Sequence, residues 1–236
     1  LVKVEESLLY PDKYKLNNVD KAKTFMNICM ECGLNKIIFS SSAGVYGNTS
    51  IMKKVNENSE LMPTNPYSKT KHEFEKYLLN LSNEKKIKSI ILRYFNVAGA
   101  DEKKRSGLIA KNSNNLIKAV CEVATNKREK IVINGNDYDT QDGTTVRDFI
   151  HVADLTRIIG LAIEAKELPA ELNLASGEAT SLLDLIENLK FLHPEMLNPV
   201  FQEERAGDIH TSIADISLLT STFDVGEMVS IQEGLS

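Results

Sequence analysis

Residues 36–42 read KIIFSSS, and residues 87–96 read IKSIILRYFN. Each is a short apolar run, which is typical of a buried strand in a parallel sheet. A segment with apolar residues at helical spacing precedes each run, at residues 17–33 and 67–85. Further strands are predicted at KIVIN (130–134) and ELNLA (171–175), between helices at about 114–125, 152–167 and 181–192. This alternation predicts an α/β fold with a doubly wound, Rossmann-like parallel sheet.

Two of the predicted helices carry a well-defined apolar face. The apolar positions are Val19, Ala22, Phe25, Met26 and Cys29 in the first helix, and Phe74, Tyr77, Leu78 and Leu81 in the helix after Pro66. Gly33 ends the first helix, as a glycine stop signal does. We therefore expect both helices to pack on the sheet through these faces.

Composition excludes several classes of protein. The chain has 236 residues, of which 42% are hydrophobic and 26% charged, as in ordinary globular proteins. The net charge of −5 and the lack of a long basic run argue against a nucleic-acid partner. No apolar run reaches the length of a membrane span, so no membrane association is expected. Three cysteines, Cys29, Cys32 and Cys121, are expected to be reduced, in a cytoplasmic protein without a metal site.

Three polar residues are candidates for proton transfer. Ser42 ends the first predicted strand, Tyr67 begins the second helix, and Lys71 follows Tyr67 by four residues. Residues four apart lie on one face of a helix, and the lysine side chain leans back over the tyrosine. Free tyrosine has a pKa near 10, and a neighbouring cation lowers it. Lys71 and a bound cationic cofactor are therefore expected to make the Tyr67 phenol a usable base.

Four motifs occur in order: SSSAGVYG, PYSKTK, RYFNVAGAD and DGTTVRDFIHVADL. In this order they resemble the extended short-chain dehydrogenase/reductase family, and within it the enzymes that epimerise UDP-hexoses at C4. The resemblance runs from about Glu6 to the C-terminal IQEGLS. None of the twelve glycines forms the glycine-rich turn that holds a dinucleotide pyrophosphate. The resemblance therefore implies a fragment, or a chain truncated at its N-terminus, that lacks the first strands of the sheet.

The resemblance implies a role for each candidate residue. NAD is the implied cofactor, contacted by Asn17, Ser42, Tyr67, Lys71 and Phe95, and Tyr67, Lys71 and Ser42 are the implied catalytic residues. A UDP-sugar is the implied substrate, bound by Asn96, Asn115, Leu116, Arg147, Arg205, Asp208 and Ser212. Because Ser212 is small, the substrates are expected to include N-acetylated hexoses.

The resemblance also implies a division into domains and an assembly. Residues 1–98 are expected to be the remainder of the NAD-binding domain, and residues 99–236 mainly a small α+β cap over the substrate. Segments around 131–165 are expected to return to the NAD-binding domain. A homodimer is expected, joined through the first two helices by residues such as Met26, Met30, Phe74 and Leu78.

Two other functions remain open from the sequence. A nucleotide-sugar dehydratase of the same fold normally carries an acidic residue just after the strand serines, whereas this chain reads Ser42, Ala43, Gly44. The side chains therefore favour an epimerase. A catalytically inactive chain that binds a nucleotide sugar or another protein is the third hypothesis, because the phosphate-binding turn is missing.

Overall fold

The computed structural model describes residues 1–49, 53–109, 115–192 and 199–235. The strands are β1 (Lys36–Ser42), β2 (Lys88–Tyr94), β3 (Asn96–Ala98), β4 (Val132–Asn134), β5 (Val146–Arg147), β6 (Phe149–His151), β7 (Glu171–Leu174), β8 (Thr180–Ser181), β9 (Val200–Gln202) and β10 (Thr211–Ser212). The helices are α1 (Val4–Leu9), α2 (Pro11–Lys15), α3 (Lys21–Glu31), α4 (Pro66–Asn83), α5 (Leu116–Ala124), α6 (Val152–Glu164), α7 (Leu182–Leu192), α8 (Ser217–Thr222) and α9 (Ile231–Leu235). A π-helical turn (Leu16–Asp20) precedes α3, and a 3₁₀ turn (Ala43–Tyr46) follows β1.

The main sheet is parallel, in the order β1–β2–β7. β1 and β2 pair over their whole length, from Lys36 opposite Lys88 to Ser42 opposite Tyr94. β7 pairs with the second half of β2. The connections between these strands contain α4 and α6, so the predicted α/β class with parallel strands is confirmed.

Helices cover both faces of the main sheet. On one face, Met26 of α3 and Phe74, Leu78 and Leu81 of α4 form a buried cluster with Ile87. On the other face, α6 packs through residues of a second buried cluster that includes Ile90, Leu92, Leu155, Ile158, Leu172 and Leu174. An apolar strand buried on both sides is what the run IILRYF predicts, although Arg93 interrupts it.

The apolar face predicted for the first helix is partly wrong. Val19 and Met26 are buried, but Phe25 is 68% exposed, because it points away from the sheet. The predicted dimer surface also needs correction, since Met26, Phe74 and Leu78 are buried within the chain itself. These three side chains stabilise the packing of α3 and α4 and are not available to a partner.

Short strands build a second region beside the main sheet. β3 pairs with β6, β4 pairs with β9, and β5 lies between β10 and β8. A buried cluster joins α5, α7 and β4 through residues such as Ile117, Val120, Ile133, Leu185 and Ile186. The boundary proposed at residue 98 stays a prediction; β7, far beyond it in sequence, lies in the main sheet.

The cysteines and the lengths of the helices bear on two further expectations. Cys29, Cys32 and Cys121 form no disulfide. In the described part of the chain, no helix combines the length and apolar character needed to cross a membrane.

Leu78→Ala tests the packing of α4 on the sheet. Leu78 is fully buried, so we expect the free energy of unfolding to fall by about 3 kcal/mol, as for other buried leucines. Leu9→Ala is the matched control, and because Leu9 is 73% exposed its effect should stay within about 0.5 kcal/mol. Urea unfolding of both variants gives the two values. Equal losses would contradict the packing of α4 on the sheet through Leu78.

Candidate active site

The first turn of α4 positions Tyr67 and Ser68. Asn65 caps the helix, since its side-chain oxygen accepts a hydrogen bond from the backbone N–H of Ser68 at 2.9 Å. Pro66 occupies the first helical position, where its fixed φ suits a helix and its missing N–H costs nothing. Asn65 and Ser68 are both buried. The start of α4 is therefore fixed, and Tyr67 with it.

Ser42 lies where β1 ends and the 3₁₀ turn begins. Its Oγ accepts a hydrogen bond from the backbone N–H of Gly44 at 3.2 Å, and its hydroxyl lies close enough to the Tyr67 phenol to lower the pKa of that group. A side chain at position 44 would bring its Cβ within 2.5 Å of Ser68 Oγ. Only glycine lets the turn approach α4 this closely, and that approach brings Ser42 to Tyr67.

Lys71 lies one helical turn beyond Tyr67. Its Nζ donates a hydrogen bond to the backbone carbonyl of Ser40 at 2.7 Å. The same Nζ lies 5.9 Å from the centre of the Tyr67 ring and 4.8 Å from the centre of the Phe39 ring. The ammonium group is thus held between α4 and β1, beside the phenol, as the four-residue spacing predicts.

Burial opposes ionisation of both groups. Burial raises the pKa of Tyr67 above its usual 10, and the hydrogen bond from Ser42 partly counters this. Burial lowers the pKa of Lys71 below its usual 10.5, and the nearby Glu75 carboxylate counters that. In the protein by itself a smaller fraction of the Tyr67 phenol is therefore ionised at neutral pH than the sequence predicts. The expected lowering of its pKa has to come from a group that binds beside it.

Tyr67 and Ser42 line a cavity of about 180 Å³, here called the relay cavity. Its other walls come from the ends of β2 and β10 and from the segment before β10. They include Tyr94, Phe95, Asn96, Arg147, Asp208 and Ser212. The relay cavity thus brings together seven residues implicated by the motifs.

A second cavity of about 210 Å³, here called the arginine cavity, adjoins the first. Asn96, Arg147 and Asp208 line both. The arginine cavity adds the remaining predicted substrate residues, which are Asn115, Leu116 and Arg205. The two cavities therefore adjoin through the three residues that line both and are together called the cleft, with Ser42 and Tyr67 in the relay cavity and Arg205 in the arginine cavity.

The arginine end of the cleft contains opposite charges. Burial lowers the pKa of Arg147, and the Asp208 carboxylate counters this. Burial likewise raises the pKa of Asp208, which Arg147 and Arg205 counter. Arg147 Nη1 donates to the backbone carbonyls of Val146 at 3.0 Å and His210 at 3.3 Å. A half-buried cation that donates to neutral carbonyls, with a carboxylate nearby, is suited to binding an anion.

Strand pairing explains why Arg147 and Ser212 share a wall. β5 and β10 are parallel, and Arg147 lies opposite Ser212 in their register. Arg205 lies in the segment between β9 and β10, and its Nε forms an ion pair with Glu5 Oε1 at 3.3 Å. The N-terminal segment therefore also contacts the arginine end of the cleft.

Two predicted residues line neither cavity. Lys71 lies behind the relay cavity, in contact with β1. Asn17 belongs to the π-helical turn, and its side chain donates to the backbone carbonyl of Lys13 at 2.9 Å. Its neighbour Asn18 contacts α4, through a hydrogen bond to Thr70 Oγ1 at 3.2 Å.

Sequence reasoning missed several residues of the cleft, among them Tyr94, Asn65 and Arg128. Tyr94 lines the relay cavity and accepts a hydrogen bond from Ser40 Oγ at 2.9 Å. Asn65 lines it too, and an asparagine before a proline at the start of a helix is a recognisable capping signal. Among the described residues, no group of three or more histidine, cysteine or acidic side chains is arranged to hold a metal.

Known proteins resemble this chain in sequence. The profile of the NAD dependent epimerase/dehydratase family matches residues 2–175. A UDP-glucose 4-epimerase of Azospirillum brasilense is 35% identical over 208 residues, which are 87% of this chain and 60% of that protein. This chain thus spans less than two thirds of that relative's length.

Solved structures resemble it as well. A UDP-glucose 4-epimerase from Bifidobacterium longum, in complex with NAD⁺ and UDP, superposes with a TM-score of 0.93 at 31% identity, over 100% of this chain and 71% of its own. A UDP-Glc/GlcNAc 4-epimerase from Campylobacter jejuni superposes with a TM-score of 0.75 at 34% identity, over 100% of this chain and 72% of its own. With a family profile that covers most of its length and folds that match throughout, the chain belongs to the NAD dependent epimerase/dehydratase family.

Proposed function

We propose that this chain forms the catalytic and sugar-nucleotide-binding part of an NAD-dependent enzyme that epimerises UDP-hexoses at C4. One observation carries the proposal: Tyr67 and Ser42 line a cavity together with Arg147 and Asp208, and these last two residues also line the adjoining cavity with Arg205. The cleft thus offers proton transfer at one end and a diphosphate site at the other. The likeness to UDP-glucose 4-epimerases supports this assignment.

The residues present fit the nicotinamide ribose end of NAD. Lys71 Nζ carries three donors, of which one is used by Ser40 O. Together with the Tyr67 phenol it can bond the two ribose hydroxyls. Bound there, NAD would supply the hydride acceptor and donor for the sugar C4 and, as a cation, would lower the pKa of Tyr67.

Proton movement is the task of this chain's own residues. Hydride can leave an alcohol carbon only as its hydroxyl proton is lost, so a base must lie within hydrogen-bond reach of that oxygen. Tyr67 Oη takes this proton and later returns it, and Ser42 Oγ hydrogen-bonds the phenol during the exchange. Lys71 stabilises the phenolate by its charge.

The arginine end of the cleft recognises the nucleotide part. Arg147 and Arg205 form charge-assisted hydrogen bonds with the pyrophosphate. Asp208 accepts from ribose hydroxyls, and Asn96, Asn115 and Leu116 contact the sugar and base. These contacts hold C4 at Tyr67, so that proximity contributes to the rate.

We also propose that the protein works in solution as a homodimer. The outward face of α3 carries Phe25, 68% exposed, and Ile28, 53% exposed. Two such apolar side chains one turn apart favour contact with a second copy along the helix.

Tyr67→Phe tests the catalytic assignment. The change removes one hydroxyl oxygen, and with it the base, so we expect the interconversion of UDP-galactose and UDP-glucose to slow by about 10²- to 10⁴-fold. The rate is measured on the purified natural gene product supplied with NAD. Tyr10→Phe, at an exposed tyrosine outside the cleft, should keep the full rate. An unaltered rate in the Tyr67→Phe protein would overturn the proposal.

Ser42→Ala tests the hydrogen bond to the phenol. This bond lowers the pKa of Tyr67, so its loss should raise that pKa further and shift ionisation of Tyr67 to higher pH. Tyrosinate absorbance near 295 nm, taken as the difference from the same protein carrying Tyr67→Phe, isolates this group. Ser40→Ala is the control, because Ser40 bonds Tyr94 instead. A Tyr67 titration that moves equally in both variants argues against the Ser42 contact.

Ser212→Tyr tests substrate choice. Ser212 lines the relay cavity, and its small side chain leaves room for an N-acetyl group. We expect the wild type to act on UDP-GlcNAc and UDP-glucose, and the tyrosine to reduce the first activity relative to the second by about tenfold or more. Ser212→Ala should retain both activities. Turnover of UDP-glucose alone by the wild type would refute this part of the proposal.

A further inference from the structure

Arg93 is the largest fully buried side chain of the described residues, although it lies inside an apolar strand. Its Nε and Nη2 donate to the two oxygens of Glu75, at 3.3 and 3.0 Å. Its remaining donors reach Tyr46 Oη at 3.0 Å, and Glu57 O and Glu171 Oε1 at 3.3 Å each. All five N–H donors of the guanidinium thus have acceptors.

The network connects the two elements that carry the proton-transfer groups. Glu75 lies on α4, one turn beyond Lys71 and two turns beyond Tyr67. Its Oε1 also accepts a hydrogen bond from Ser41 Oγ, and Ser41 immediately precedes Ser42. Tyr46 ends the turn that Ser42 begins, and its hydroxyl donates to Asn173 of β7 at 2.7 Å. Arg93 is therefore the point at which β1, the following turn, α4 and β7 are joined.

Stability alone does not account for this pair. Burying two charges costs several kcal/mol per ion, and replacing such a pair with apolar side chains of similar volume is often neutral or stabilising. Glu75 and Arg93 are each about 1% exposed in their side chains, so the cost is incurred in full. Burial opposes the charge on Arg93, yet the contacts with Glu75 raise its pKa. Arg93 therefore stays charged, and the geometry and charge that it imposes explain the pair better than stability does.

We propose that the buried Arg93 and Glu75 pair positions the relay, holding Ser42 against Tyr67 through Ser41, and that the Glu75 carboxylate stabilises the Lys71 ammonium. Both are positioning residues, since neither lines the cleft. Their importance for catalysis rests on the proposed function; their effects on Ser42, Tyr67 and Lys71 do not.

The charged surroundings of Lys71 make its titration a direct test. Its own helix presents Tyr67 and Glu75, and β1 presents the Ser40 carbonyl and the uncharged Phe39 ring. Arg93 lies beyond Glu75 on β2. His72 Nδ1 lies 3.9 Å from Glu75, and burial lowers the pKa of His72, so it is neutral while Lys71 titrates.

The titration of Lys71 is followed by NMR in protein labelled with ¹³Cε-lysine, in the absence of NAD and substrate. The signal of Lys71 is assigned as the one that is missing from the Lys71→Arg variant. Glu75→Gln removes the stabilising carboxylate and leaves Arg93 with Glu171 as its paired carboxylate, so the pKa of Lys71 should fall. Arg93→Met leaves the carboxylate uncompensated, so the pKa should rise. Glu73→Gln is the matched control: the same charge change on the same helix, at a carboxylate that pairs with Lys15 and Lys23. It should leave Lys71 unchanged.

If Arg93 and Glu75 only stabilised the fold, a different result would be expected. Loosening α4 would admit water to Lys71 in both variants, and its pKa would rise in both. A rise in Glu75→Gln, or a change no larger than in Glu73→Gln, therefore overturns the electrostatic part of the proposal.

Ser41→Ala tests the positioning part, and because it removes only one hydroxyl it is expected to fold. It should raise the pKa of Tyr67 in the 295 nm difference titration, as the Ser42 contact weakens, and leave Lys71 unaffected. An unchanged Tyr67 titration overturns this part. Since no turnover is measured, either failure is distinguishable from a failure of the proposed epimerase activity.

Discussion

The parallel pairing of β1 with β2 is the constraint on which the cleft depends. Because both strands run the same way, their carboxyl ends meet at one edge of the sheet, with Ser42 opposite Tyr94. The residues that follow each strand then line a common space, which is where ligands bind in open α/β sheets. A slip of one residue would turn Ser42 to the opposite face. The seven paired positions of β1 and β2, and the helices packed on both faces of the sheet, prevent such a slip.

The other half of the cleft is attached to this edge by one carboxylate. Asp148 is fully buried, and its oxygens accept from the backbone N–H groups of Ser176 at 2.8 Å, Gly177 at 2.9 Å and Ala214 at 3.2 Å. It thereby joins the segment after β7 to the segment after β10. Because Arg147 directly precedes Asp148, the same contacts fix the arginine that lines both cavities.

The helices of the main sheet could be predicted because each is long enough to show a helical period, and its strands because each is an apolar run. KIIFSSS and KSIILRY became β1 and β2, and the predicted helices differ from the observed ones by a few residues at their ends. β5, β8 and β10 have two residues each, too few for any periodicity, and their pairing joins positions far apart in sequence. The grouping of Arg147 with Ser212 therefore came from family resemblance. The prediction that Phe25 packs on the sheet is wrong because its neighbour Met26, one helical position away, occupies the buried face of α3.

Charge also constrains how the cleft can recognise a ligand. The chain carries a net charge of −5, so its overall field repels anions. At physiological ionic strength that field is screened beyond about 8 Å, so under the proposed function a diphosphate is recognised by Arg147 and Arg205 at contact distance. Burial opposes the charge on Arg147, and Asp208 counters it. Under the proposed function Asp208 has two tasks: its carboxylate counters the effect of burial on Arg147, and it offers an acceptor to the ribose hydroxyl groups of the ligand.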